Sequence, residues 1–417
     1  MAGLYIHLPF CKSRCIYCAF YSTTQHGLMD DYVNALCKEM ELRNTPPSSS
    51  LPFPSSFLLN SVDFCRDSAN QASSLALTVP KVPPSSLKTI YLGGGTPSQL
   101  PPALLHRLFH NIYKVYEVAD DAEITMECNP DDITPDYAQV IGELPINRVS
   151  MGAQTFSDER LHFLHRRHTS SQVREAVDLL RKNGIQNISI DLMFGFPGET
   201  LQDWEQDIHD ALALDVEHLS AYSLMIEEGT ELYRRYGDAG VREYENSKEE
   251  LEREMYELLI DQLTAAGYEH YEISNFAKNG FRSRHNSSYW NDTPYIGIGA
   301  AAHSYSPPTL HPQGLGKRSW NVADISQYIE GMKQGKRVFE EETIDADTHY
   351  NDLVTVALRT REGLDLSILS EEHRTYAIKN ARRFINDGLL ELTDNRLHLT
   401  RGGLFVSDMI MTELMNC

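Results

Sequence analysis

Through the first half of the chain, short runs of β-branched and aromatic residues alternate with longer stretches of helical period. Residues 4–6, 89–92, 123–126, 148–151, 188–192 and 218–222 read as strands, each a brief apolar run too short for a helix. Between them, residues 29–42, 101–116, 170–183 and 201–214 repeat apolar positions three and four apart, the signature of an amphipathic helix. Strands separated by helices of this length pair in parallel, so the pattern predicts an α/β fold. Six βα units fall short of the eight of a closed barrel. The expectation is therefore a partial (β/α)6 barrel or curved sheet, with its site at the C-terminal ends of the strands.

Three breaks in the rhythm mark the chain. Residues 44–87 carry Pro46-Pro47, Ser48-Ser49-Ser50, Pro52, Pro54 and Pro83-Pro84-Ser85-Ser86, and read as a disordered insertion in a surface connection. Past Tyr222 the pattern changes to a long charged helix over 247–266 and an aromatic, His-containing region over 268–306. After Gly314-Leu315-Gly316, helical stretches at 350–360 and 375–387 precede two short strands joined by Thr393-Asp394-Asn395. This tail predicts a smaller α+β domain of winged-helix type. The expected division is a core over 1–230, an extension over 231–310 and a C-terminal domain over 311–417.

Composition narrows the function. Hydrophobic residues make up 41% and charged residues 23%, and no apolar run is long enough for a membrane helix. A formal charge of −22 repels phosphate backbones, so no nucleic-acid partner is expected, and the winged-helix-like tail is assigned to packing or protein contacts. Seven cysteines, odd in number and bunched at one place, are the opposite of a secreted disulfide framework. With only Met1-Ala2-Gly3 before the first strand, the cytosol is the default expectation. A mitochondrial or chloroplast form whose targeting segment lies outside this sequence would read the same way.

The bunched cysteines are Cys11, Cys15 and Cys18, a C-x3-C-x2-C loop directly after the first strand. Structural zinc usually takes four ligands, often from paired C-x2-C units, and there is no second pair; a zinc scaffold nevertheless stays open at this point. Three thiolates on a [4Fe–4S] cluster leave one iron free for an outside ligand. The loop resembles that of the radical S-adenosylmethionine (SAM) superfamily. That resemblance implies that the free iron chelates the methionine part of SAM, and that SAM is cleaved reductively to a 5′-deoxyadenosyl radical with an electron donor serving the cluster.

A cradle for SAM should appear where the strands stop. The second strand ends in Gly93-Gly94-Gly95-Thr96-Pro97, the third at Glu127, the fourth at Gln154 and the fifth at Asp191, with Arg166 one helix after Gln154. Each alone could be a helix cap or a locally satisfied polar group. Their order resembles the family of oxygen-independent coproporphyrinogen III oxidase and its relatives over most of the chain. By that similarity Tyr5, Tyr17, Gly94, Gly95, Thr96, Glu127, Gln154, Arg166 and Asp191 would contact SAM.

The family has two branches. The porphyrinogen-oxidising branch has a further cysteine two residues after the cluster motif and a sizeable segment before the first strand; here Phe20 stands at the first place and only three residues at the second. The C-x3-C-x-Y-C-x-F loop instead resembles the haem chaperone HemW branch. So does His285-Asn286-Ser287-Ser288-Tyr289-Trp290, which is similar to the H-N-x-x-Y-W segment associated with haem in that branch. Imidazole is a common axial ligand of haem iron and aromatic rings pack well on the macrocycle, so His285, Tyr289 and Trp290 become expected haem-site residues, with His303 a further candidate. Read without the resemblance, a His beside Tyr and Trp is equally a satisfied core residue. The implied function is a haem chaperone that passes haem to an acceptor protein; the alternative is coproporphyrinogen III dehydrogenation by the same cradle.

Overall fold

In the computed structural model, residues 2–44, 86–311 and 314–416 are described; the Pro/Ser-rich insertion expected over 44–87 lies almost entirely outside them. The six predicted strands are all present. The chain runs β1 (Ala2–Leu8), α1 (Met29–Asn44), β2 (Leu87–Gly94), α2 (Pro102–Val115), β3 (Val118–Cys128), α3 (Pro135–Glu143), β4 (Arg148–Gln154), α4 (Asp158–Phe163), α5 (Ser170–Lys182), β5 (Asn187–Phe194), α6 (Leu201–Leu212) and β6 (His218–Ser223). Strands β1 to β6 pair in parallel in chain order.

Alternation along these strands separates two faces. Leu4, Ile6 and Leu8 of β1 and Val149, Met151 and Ala153 of β4 are fully buried beneath the helices. The other positions, such as Tyr5 and His7 of β1 or Ser150, Gly152 and Gln154 of β4, face the interior of the curved sheet. The outer layer is anchored by Trp204 of α6, fully buried, whose indole N–H donates to the Met255 carbonyl at 2.9 Å.

The sheet extends beyond the barrel on both sides. After α7 (Glu231–Ala265), kinked at Gly237, come β7 (Glu269–Glu272), β8 (Asn275–Ala277), α8 (Arg284–Tyr289), β9 (Tyr295–Ile298), β10 (His303–Ser306), β11 (Gly316–Asn321), α9 (Ile325–Lys333) and β12 (Phe339–Ile344). The completed sheet has twelve strands, in the order β12-β11-β10-β9-β1-β2-β3-β4-β5-β6-β8-β7. Residues of β11, α9 and β12 thus belong to the large sheet, and Ile325, Tyr328, Ile329 and Met332 to its core, rather than to the C-terminal domain as the division at 310/311 anticipates. The physical reason is that β9 joins the free edge of β1 and a meander then continues outward from it.

A second core, around Tyr350, Leu353, Leu364, Phe384, Leu397 and Ile410, holds the C-terminal domain together. It is built from α10 (Ala346–Ala357), β13 (Leu364–Asp365), α11 (Glu371–Asn386), β14 (Leu390–Thr393), β15 (Arg396–Leu399), α12 (Arg401–Leu404) and α13 (Ser407–Leu414), with the three strands in the order β13-β15-β14. Asp394 and Asn395 both take positive φ between β14 and β15, the geometry of a tight hairpin turn. The domain is tied to β7 and the segments that follow it by backbone bonds from Ile273 to the Arg359 carbonyl and from Arg361 to the Tyr271 carbonyl, both 3.0 Å, and by the Arg359–Glu272 and Arg282–Glu362 ion pairs. No helix of the described residues is long and apolar enough to cross a membrane.

Candidate functional site

The interior positions at the C-terminal strand ends open into one cavity of about 620 Å³. Tyr5, Cys11, Cys15, Tyr17, Cys18, Gly94, Gly95, Thr96, Glu127, Gln154, Arg166, Asp191, His285 and Tyr289 all line it. Residues spread over almost the whole length of the barrel sequence are therefore brought to one place, at the end where an α/β barrel carries its site.

The cysteine loop is held from both sides. Cys11 N–H donates to the Thr23 carbonyl at 2.9 Å, and Ile16 is sunk into a small apolar cluster with Leu164, Met193, Phe196 and Leu224. The close approach of the second strand is what glycine permits. A Cβ on Gly95 would lie 2.5 Å from the Pro9 carbonyl carbon, and Gly94, at φ +110°, would place one 2.5 Å from the His7 ring. Thr96 Oγ1 then donates to Cys11 Sγ at 3.5 Å, and Arg166 reaches Cys15 Sγ at 3.6 Å.

Burial pushes the Cys11 and Cys18 thiols up, so in the metal-free loop they keep their protons and a metal would have to displace them. Among the described residues no group of three His, Cys, Asp or Glu side chains is placed to hold one metal ion. A [4Fe–4S] cluster would take each of three thiolates on a different iron, whereas structural zinc usually wants a fourth ligand.

Around the cradle, Glu127 accepts from Tyr91 O–H at 2.8 Å and from Gly94 N–H at 3.1 Å. Burial raises its carboxyl to about 7, and burial likewise raises Asp191 to about 6. Arg166 donates to Asn129 Oδ1 at 2.8 Å and to the Gly152 carbonyl at 2.5 Å, while its buried Nε has no partner. Gln154 sits at φ +69°, a left-handed backbone that a glutamine adopts only when its surroundings impose it. Carboxylates, a guanidinium with a donor to spare and bare glycine backbone thus bring acceptors and donors of both charges to one cavity.

The aromatic segment is divided. His285 is fully buried against the cavity floor, stacked on Tyr91 with centroids 5.1 Å apart. Its Nδ1 is bonded to Thr89 Oγ1 at 2.8 Å and its Nε2 to Tyr289 O–H at 2.9 Å, and burial lowers its pKa to about 3. Both ring nitrogens are engaged, so axial ligation of an iron would require Tyr289 to let go. Trp290, one residue past the end of α8, lines a different cavity of about 330 Å³ between the sheet and the C-terminal domain. His303 is exposed on β10 and stacks on Trp320, outside both cavities.

Tyr91, Asn129, Ser150, Ser220 and Tyr222 also line the main cavity and escaped the sequence reading. Period two would have found four of them, since Tyr91, Ser150, Ser220 and Tyr222 are the inward alternates of strands whose outward residues are apolar.

Comparison with known proteins agrees with this geometry. The radical SAM superfamily profile matches residues 74–211, and that of the HemN C-terminal domain matches residues 344–406. Over 97% of this chain and 96% of the relative, 32% of residues are identical to the haem chaperone HemW of Bacillus subtilis. The chain belongs to the HemW family. A second HemW relative, from Escherichia coli, is 31% identical over 82% of this chain and 79% of its own. A mitochondrial radical SAM domain-containing protein 1 of Bos taurus is 25% identical over the whole chain and 87% of the relative. In three dimensions the chain superposes on coproporphyrinogen III oxidase (HemN) of Escherichia coli with a TM-score of 0.75, covering 100% of this chain and 90% of that one at 20% identity; this establishes a shared fold. Membership of the HemW family places the chain in the radical SAM superfamily, which implies a [4Fe–4S] cluster and SAM.

Proposed function

We propose that this protein is a haem chaperone of the HemW kind, with a [4Fe–4S] cluster on Cys11, Cys15 and Cys18, SAM on the strand ends beside it, and haem as the cargo passed to an acceptor protein. The observation that carries the reading is the convergence of the C-x3-C-x2-C loop and the strand-end residues on one cavity, in a chain similar to haem chaperones along nearly its full length. When bound, the cluster would supply the electron for reductive SAM chemistry. The chain's own residues would do the holding. Glycine backbone at 94–95 would let the ligand approach, Glu127 and Asp191 would offer acceptors to its cationic groups, and Arg166 would offer its unpartnered Nε–H to a carboxylate.

Anaerobic reconstitution with iron and sulfide, followed by titration with SAM and then haem, tests this. Brown protein with acid-labile sulfide that takes up about one haem per chain is expected. Colourless protein holding zinc without sulfide would remove the cluster, and an absorption spectrum unchanged by haem would remove the cargo. Steady conversion of coproporphyrinogen III under the same conditions would replace the chaperone with an oxidase.

A further inference from the structure

One charge inside the barrel belongs neither to the cavity lining nor to an ion pair. Arg148, at the start of β4, is 1% exposed, and alternation along the strand turns it to the interior with Ser150, Gly152 and Gln154. Among the described residues its guanidinium forms no ion pair, its Nε and Nη1 have no hydrogen-bond partner, and it does not line the cavity. Its neighbours in register give it nothing: Thr125 on β3 and Asn187 on β5 each keep a side-chain oxygen without a partner. Glu123, lower on β3, is committed to the backbone N–H groups that open α8. An unpaired buried cation is costly, and an apolar side chain would fill the space without that cost, so its field must be answered elsewhere. What remains lies above it. Glu127 stands two residues past Thr125 and Asp191 four past Asn187, towards the cavity; burial raises them to about 7 and about 6, and Arg148 draws both back down. Tyr5, Tyr91, Tyr222 and Tyr289, from four other elements, face the same carboxyls; burial raises all four, so they stay neutral, as does the Cys128 thiol beside Glu127. Burial, and after it this same guanidinium, keeps His218 and His285 neutral, so these two imidazoles add no cation from the floor. Arg166, a second cation near Asp191, is bonded to Asn129, the Gly152 carbonyl and Cys15.

We propose that Arg148 is a positioning residue for SAM that never touches it: fixed under Glu127 and Asp191, its unshared charge poises both carboxyls to meet the sulfonium and ammonium groups of the ligand as anions. The inference rests on the SAM reading above. Two carboxyls in one buried cavity oppose each other's ionisation, and a fixed cation is what allows both to ionise together. It also explains why a strand whose inward side goes on with Ser150, Gly152 and Gln154 begins with a cation that reaches no surface.

The test is SAM affinity as a function of pH, titrated into the anaerobically reconstituted full chain with iron and sulfide measured alongside. Wild-type affinity is expected to rise about tenfold between about pH 5.5 and about pH 7.5 as the two carboxyls ionise. Arg148→Met is expected to keep its iron and sulfide and to bind SAM about tenfold more weakly near about pH 7. Most of that loss should be recovered by about pH 8.5, the midpoint of the profile being displaced upward by about one unit. Arg148→Lys, which retains a cation, is expected to fall between the two. A loss in Arg148→Met that is the same at every pH overturns the proposal and reduces the side chain to packing. A flat wild-type profile also overturns it, whether or not any variant folds. If the wild type binds no SAM at any pH, the SAM reading itself fails and the proposal with it.

Discussion

At the mouth of the barrel, Glu127, Gln154, Asp191 and Arg166 face a cavity, and Arg166 keeps a buried N–H without a partner. At the opposite end the same strands carry side chains that consume one another. Ser189 Oγ bonds His218 Nδ1 at 2.7 Å, His218 Nε2 bonds Tyr271 O–H at 2.7 Å, and Glu123 receives the backbone N–H groups of Arg284 and His285 at 2.9 Å, capping α8. Thr89 closes the layer through His285. One end is polar and opens into a cavity; the other is polar and sealed. The difference is not in residue type, since both ends use Ser, Thr, His and Glu. It lies in whether α8 and β7 supply the second half of each hydrogen bond.

This contrast can be broken from either end. The largest effect is expected for Gly95→Ala at the mouth. Its Cβ would meet Pro9 backbone, which cannot yield without moving the cysteine loop, so roughly 3 kcal/mol of stability and most of the reconstituted iron should be lost. Urea unfolding and iron analysis check this; retention of full iron would mean that the loop adapts. At the sealed end His218→Ala strands Ser189 and Tyr271 and is expected to cost about 2 kcal/mol while SAM affinity, measured at a temperature where the variant is folded, stays within about twofold. A large fall in SAM affinity instead would show the two ends to be coupled.

The two ends also respond to pH with opposite sign. Burial raises Glu127 to about 7, so the fold favours its protonated form. That contribution is complete below the unfolded value of 4.5 and is lost as pH rises through 7. Burial depresses His285 to about 3, so its contribution is present above 6.5 and is lost as pH falls towards 3. Glu127→Gln should therefore match the wild type near pH 4.5 and exceed it by about 1.5 kcal/mol at pH 8 in the ligand-free chain, a figure halved for water in the cavity. Equal pH profiles of stability would place Glu127 in a wetter setting than the fold implies. The smallest effect is expected for Gln154→Gly. Relief of the positive φ should stabilise the chain by about 0.5 kcal/mol while SAM binds more weakly, as the differential scanning midpoint and a SAM titration would report.

Much of the fold was legible because each barrel strand is short, apolar on its outward positions and followed by a helix of clear period. Residues 188–192 and 218–222 could hardly read otherwise. The sheet extension was not legible. Strands β7 and β8 have four and three residues, and β12 reads Phe-Glu-Glu-Glu-Thr-Ile, an exposed edge whose charges resemble a helix surface more than a strand. Among site residues, the cysteines and the strand-end Glu127, Gln154 and Asp191 could be picked out because spacing and strand ends mark them. Trp290 was misjoined to His285 for a geometric reason: five residues along a short helix do not share a side, and proximity in sequence stood in for proximity in space. His303 had only its type to recommend it.

Helix α8 has six residues, yet His285, Asn286 and Tyr289 look into the cofactor cavity while Ser287 and Trp290 look into the chamber under the C-terminal domain. It is a partition one helix thick. Trp290 and His285 thus hang from one short segment, so the chamber under the C-terminal domain and the main cavity share a wall.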